Sequence, residues 1–159
     1  MKLFGRVLLL VFFVCVLLQS AVYSQGDNVS GLGPGIRGGF GLSPDQFVVG
    51  AQYSLGKKVR ILRVVPSLDV GFGDNVTTLT FNGDFLGRLI LEDTNIGLYG
   101  GAGLTLAYWG YDSGSDWKPG LTLVFGTQVP LFKNNATNLE ARFGLGDVPD
   151  FRLLLAFIL

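Results

Sequence analysis

The chain contains no histidine and only one cysteine, Cys15, near its beginning. The lack of histidine removes the most frequent general base and a common metal ligand. A lone cysteine forms no disulfide within the chain. Charged residues make up only 15% of the sequence and their formal net charge is zero, so no broad basic field attracts nucleic acid. The composition therefore predicts neither histidine- or thiol-based catalysis nor nucleic-acid binding.

The first 24 residues have the pattern of a secretory signal peptide. Lys2 and Arg6 precede an apolar run from Val7 to Leu18, and Val22 to Ser24 form the cleavage region. The run is too short for a membrane-spanning helix. We predict a cleavable signal peptide at 1–24, a short lead at 25–30 and one domain at 31–159.

The remaining chain lacks any apolar run of the roughly 20 residues that a membrane-spanning helix needs. Hydrophobic residues nevertheless make up 48% of the sequence. The 24 glycines disfavour long helices, since glycine in a helix interior costs about 1 kcal/mol relative to alanine. Apolar residues instead alternate with small or polar residues in eight segments. The sequence predicts an all-β domain of eight antiparallel strands that run up and down.

This alternation gives each predicted strand one apolar and one polar face. In "NLEARFGL", Leu139 and Phe143 oppose Glu140 and Arg142. The residues predicted to face lipid are Leu79, Phe81, Phe85, Leu104, Leu106, Leu121, Leu123, Phe125, Phe143, Leu153, Leu155 and Phe157. The polar cluster predicted on the opposite face comprises Arg37, Gln52, Arg63, Asp84, Arg88, Glu140 and Arg142.

The polar faces combine glycines with charges of both signs, which is typical of side chains that converge and pair inside a narrow tube. A membrane barrel has this arrangement, with its apolar face toward lipid. A soluble barrel that binds an apolar ligand has the reverse arrangement and is retained as an alternative. Eight strands leave an interior just wide enough for side chains. We therefore expect the polar cluster to brace the lumen rather than to line a conduction path.

Hairpin turns predict the register between neighbouring strands, because residues that flank a two-residue turn lie opposite each other. The pairs predicted in this way are Ser43 with Gln46, Gly56 with Val59, and Gly73 with Val76. The same register places Gln52 opposite Arg63 and Asp84 diagonal to Arg63, within reach of long side chains.

The segments "GLYGGAGLTLAYW" and "NLEARFGLGDVPDFRLLLAFIL", with the signal peptide before them, resemble small eight-stranded outer-membrane β-barrel proteins of bacterial envelopes. The resemblance implies a transmembrane barrel in the bacterial outer membrane. The implied partners are membrane lipid, lipopolysaccharide, periplasmic chaperones and the outer-membrane assembly machinery. That machinery reads the last strand, here Phe157 and Leu159, although the family usually ends on an aromatic residue. A monomer is favoured.

No catalytic arrangement and no cofactor site is predicted, because serines lie singly or at turns and no helix follows the glycine-rich segment "GLGPGIRGGFG". The predicted function is a structural role in the envelope, with paired polar side chains filling the lumen. The first alternative is a narrow, porin-like channel for small solutes or ions. The second is a soluble secreted lipocalin-like barrel.

Overall fold

The computed structural model describes residues 32–55, 62–90, 97–132 and 135–159. These residues contain eight strands. The predicted signal peptide and the lead at 25–30 lie outside the described residues. The strands are β1 Gly35–Leu42, β2 Gln46–Gln52, β3 Leu62–Gly73, β4 Val76–Ile90, β5 Gly97–Tyr111, β6 Gly114–Phe132, β7 Asn135–Gly146 and β8 Phe151–Ile158. No helix among these residues is long and apolar enough to span a membrane.

The eight strands form one closed antiparallel barrel in which each strand pairs with its neighbours in sequence. The seam joins β1 to β8 in continuous register from Gly35 opposite Ile158 to Leu42 opposite Phe151. Closure matters because an open strand edge exposes unpaired backbone groups, which hydrocarbon cannot satisfy. The predicted fold class, an eight-stranded antiparallel barrel, is confirmed.

The register across two of the three predicted hairpins differs from the prediction. Gln46 pairs with Gly41 and not with Ser43, because Ser43 adopts a left-handed φ of 56° inside a longer turn. The prediction for Gly73 and Val76 is confirmed.

The error in the predicted register between β2 and β3 is larger than that between β1 and β2. Gln52 pairs with Ser67 and not with Arg63, because pairing continues beyond β2 through a bridge between Leu55 and Val64. The backbone N–H of Leu55 donates to the Val64 carbonyl at 2.9 Å. The predicted pairing of Gly56 with Val59 lies outside the described residues.

The barrel has two distinguishable ends. The four turns from β1 to β2, β3 to β4, β5 to β6 and β7 to β8 lie at one end, which we call the turn end. The start of β1 and the end of β8 lie at the opposite end, which we call the terminal end. A buried apolar cluster, Leu32, Val65, Leu86, Tyr99 and Val124, occupies the terminal end of the interior.

Candidate functional site

The wall of the barrel separates apolar side chains outside from polar side chains inside. Leu104 is 66% exposed, whereas its neighbour Thr105 is 5% exposed, as the alternation of a pleated strand requires. The residues predicted to face lipid all lie on the outer face. Nine of them are exposed, and Leu79, Leu155 and Phe157 are half-buried. The exterior is thus an apolar band and the interior is the candidate site.

The centre of the lumen is an ion-pair network around Asp69 of β3. Its carboxylate accepts two hydrogen bonds of 2.6 Å from Nε and Nη2 of Arg37 on β1. Nη2 of Arg37 also donates to Oγ of Ser67 at 2.6 Å. Nη1 of Arg37 reaches Oε1 of Glu140 at 3.4 Å. The bidentate pair fixes the guanidinium in both distance and plane.

A second part of the network is centred on Arg142 of β7. Its Nε donates to Oε1 of Glu140 at 2.6 Å, and its Nη2 donates to Oδ2 of Asp84 on β4. The hydroxyl of Tyr99 donates to the other oxygen of Glu140 at 3.0 Å. Glu140 therefore connects Arg37 to Arg142 and joins the two parts of the network.

A third arginine, Arg152 of β8, completes the network at the seam. Its Nη1 lies 3.4 Å from Oδ2 of Asp69 and donates to Oγ1 of Thr80 at 2.8 Å. The buried charges of the described residues are three arginines and three carboxylates. This balance is needed because an uncompensated charge costs several kcal/mol inside a low-dielectric interior.

Glycines make room for pairs that reach across an intervening strand. Gly50 of β2 lies in register between Arg37 and Asp69, and a Cβ there would overlap the Asp69 carboxylate. Gly126 of β6 lies between Tyr99 and Glu140 in the same way, and a Cβ there would overlap the Tyr99 ring. The glycines on the polar face therefore allow the long inward side chains to meet.

The lumen is closed at the turn end by the turn between β7 and β8. Val148 of this turn is 3% exposed and packs against Gly120 and Gly144, where a Cβ would approach its methyl groups to 2.6 and 2.9 Å. Nε1 of Trp109 donates to the Asp147 carbonyl at 3.0 Å. We call the inward-folded residues Val148 and Pro149 the cap.

At the terminal end, the segment that precedes β1 enters the lumen. Leu32 is 1% exposed and packs in the apolar cluster. Nε2 of Gln52 donates to the Gly33 carbonyl at 3.3 Å, and the backbone N–H of Leu159 donates to the Pro34 carbonyl at 2.9 Å. Apolar side chains thus fill the lumen below the ionic layer.

The structure brings four residues of the predicted cluster together. Arg37, Asp84, Glu140 and Arg142 belong to one network. Gln52 lies near the terminal end, where its side chain donates to the Gly33 carbonyl. Arg63 is half-buried on the same face as Val65 and Ser67. Arg88 lies in β4 opposite Tyr99, but its side chain is outside the described residues.

The predicted cluster does not include Asp69 and Arg152, although the alternation within β3 and β8 places both on the polar face. Asp69 is in fact the residue that Arg37 and Arg152 share. Tyr99 was missed, although its inward position follows from its alternation with Gly101 and Gly103. Among the described residues, no group of histidine, cysteine, aspartate or glutamate side chains has the arrangement of a metal site. The chemistry that the arrangement provides is charge pairing.

A closed eight-stranded barrel with an apolar exterior and a polar, side-chain-filled interior defines the class of outer-membrane β-barrels. The solved structure of Neisserial surface protein A, an eight-stranded outer-membrane barrel, is similar to this chain. The superposition has a TM-score of 0.56 at 12% sequence identity and covers 78% of this chain and 92% of that protein. No protein-family model and no curated protein matches the chain. The similarity therefore establishes the fold.

Proposed function

We propose that the protein is an integral barrel of the bacterial outer membrane with a structural role, whose lumen does not conduct. The observation that carries this proposal is the buried network of three arginines and three carboxylates across the lumen. Ion pairs that fill the cross-section stabilise the closed wall, whereas an open channel would require water in their place.

Two further layers support a closed lumen. The cap covers the network from the turn end, and the apolar cluster around Leu32 fills the lumen from the terminal end. A solute that entered from either end would have to displace one of these layers and then break ion pairs. The polar interior also disfavours a soluble barrel for apolar ligands, because the large apolar side chains of the described strands are mainly outside.

The proposed partners follow from the exterior. Lipid acyl chains and lipopolysaccharide match the apolar band, which includes Phe40 and Phe85 at 66% and 51% exposure. The last strand, with Phe157 and Leu159 on its outer side, is proposed to be read by the assembly machinery after delivery by periplasmic chaperones. We place the terminal end in the periplasm and favour a monomer without enzymatic activity.

Membrane insertion is tested by envelope fractionation and by gel migration with and without boiling. A folded membrane barrel remains with the envelope after high-salt washing and migrates differently once boiled. A soluble protein whose migration is unaffected by boiling would overturn the membrane assignment.

The closed lumen is tested by planar-bilayer recordings of the purified, refolded protein. We expect no discrete conductance steps above those of protein-free bilayers, with a general porin as the positive control. If steps occur, Thr105→Gln, which alters a buried lumen side chain, identifies their source. Steps whose amplitude changes in this variant pass through this lumen and would establish the narrow channel instead.

A further inference from the structure

A small cavity of about 10 Å³ lies inside the barrel, directly beneath the cap. Its walls include Val148 and the side chains of Thr122, Arg142 and Arg152. A volume of roughly 10–15 Å³ on this scale is the minimum that holds one water molecule. The cavity thus limits any occupant to about the size of a single water.

Two hydrogen-bond donors of residues that line this cavity have no partner among the described residues. Arg142 and Arg152 are 2% and 5% exposed, yet Nη1 of Arg142 and Nε of Arg152 make no hydrogen bond. Nε and Nη2 of Arg142 and Nη1 of Arg152 donate hydrogen bonds within the network. A buried N–H group without a partner is unfavourable, so an occupant that accepts two hydrogen bonds is favoured here.

The same cavity also offers acceptors. Oγ1 of Thr105 donates to Oδ1 of Asn82 at 2.9 Å, and the hydroxyls of Thr105 and Thr122 lie 2.6 Å apart. The Thr105 proton is committed to Asn82, so Thr122 is the donor to Thr105. Lone pairs of both hydroxyls remain for a third partner. An occupant can therefore accept from two guanidinium groups and donate to two hydroxyls.

We propose that this cavity binds one ordered water molecule that bridges Arg142 and Arg152 to the threonine pair. Water has the right size and provides two acceptor and two donor positions, as buried structural waters do. The lack of charge on water also favours it as the occupant. The buried charges of the described residues already balance, three against three, and a halide in this position would add an uncompensated negative charge.

The site is tested by NMR on the refolded barrel in detergent micelles, using methyl-labelled valine and threonine. A long-lived water gives cross-relaxation peaks to the Val148 and Thr122 methyl groups. Val124 is the internal control, because it is fully buried in the apolar cluster and does not line the cavity. Peaks at Val148 and Thr122 without a peak at Val124 support the proposal. Absence of both, or equal peaks at Val124, overturns it.

A pair of variants and crystals grown with bromide provide a second test of the water site. Thr122→Val removes a water acceptor and should abolish the Val148 peak. Thr137→Val, at a buried β7 threonine outside the cavity walls, should retain it. Crystals grown with bromide in place of chloride should show water density without an anomalous signal at the site. An anomalous peak between Arg142 and Arg152 would show that the site binds an anion and would overturn the water proposal.

Discussion

Among the described residues of the lumen, Asp69 is the one whose loss of charge should destabilise the barrel most. It accepts two 2.6 Å hydrogen bonds from Arg37 and one of 3.1 Å from Asn82, and it lies 3.4 Å from Arg152. Asp69→Asn keeps the volume but turns an amide donor toward donors and leaves three buried arginines against two carboxylates. Breaking a buried ion pair from one side costs about 3–5 kcal/mol. That is a large share of the roughly 5–15 kcal/mol that stabilises a typical domain.

The measurement is the free energy of unfolding from urea titration of barrels refolded into lipid vesicles. Asp45→Asn, in an exposed turn position, is the matched control and should change stability by less than about 0.5 kcal/mol. The double variant Arg37→Gln/Asp69→Asn restores equal numbers of buried charges and should recover part of the loss. If Asp69→Asn cost no more than Asp45→Asn, water would screen the lumen, and the closed network would have to be given up.

Three further substitutions test other parts of the barrel by the same titration. Gly126→Ala should destabilise it because the new methyl group overlaps the Tyr99 ring, whereas Gly83→Ala, with open space around its Cβ, should be nearly neutral; equal effects would contradict the tight lumen. Leu104→Arg should cost about 2–4 kcal/mol near the bilayer midplane, and a stability equal to that of Leu104→Met would contradict its contact with lipid. Leu32→Ala should cost about 2–5 kcal/mol, and a negligible loss would show that this residue does not fill the terminal end.

The faces of the strands were predictable from sequence, whereas the register was predicted correctly between β3 and β4 but not between β1 and β2 or between β2 and β3. Gln46 pairs two residues away from the predicted partner, with Gly41 instead of Ser43. Gln52 pairs four residues away, with Ser67 instead of Arg63. Both errors are even numbers, and a shift by an even number leaves each side chain on its own face because strands have a period of two. Such an error in turn length therefore leaves the assignment of side chains to the inside or the outside unchanged, but it changes the predicted contacts.

The same reasoning explains why the centre of the network was missed. The pairing of Asp69 with Arg37 depends on the registers of β1 with β2 and of β2 with β3, so both predicted turns had to be correct. The contact between Arg152 and Asp69 joins β8 to β3 across the lumen, and turn geometry contains no information about it. Alternation locates a side chain on the wall, while a cross-lumen contact requires the whole closed barrel.

The connectivity of the ion pairs has a consequence for closure. Arg37 on β1 pairs with β3 and approaches β7, Arg142 on β7 pairs with β4, and Arg152 on β8 approaches β3. Apart from the pair between Glu140 and Arg142 within β7, each of these contacts joins strands that are not hydrogen-bonded neighbours. Two of these contacts, Arg37 with Glu140 and Arg152 with Asp69, join strands on opposite sides of the seam, so a sheet that has not yet closed would hold these charges without those partners. Closure of the seam between β1 and β8 brings both of these contacts together, so the network favours the complete barrel over a wall that is open at the seam.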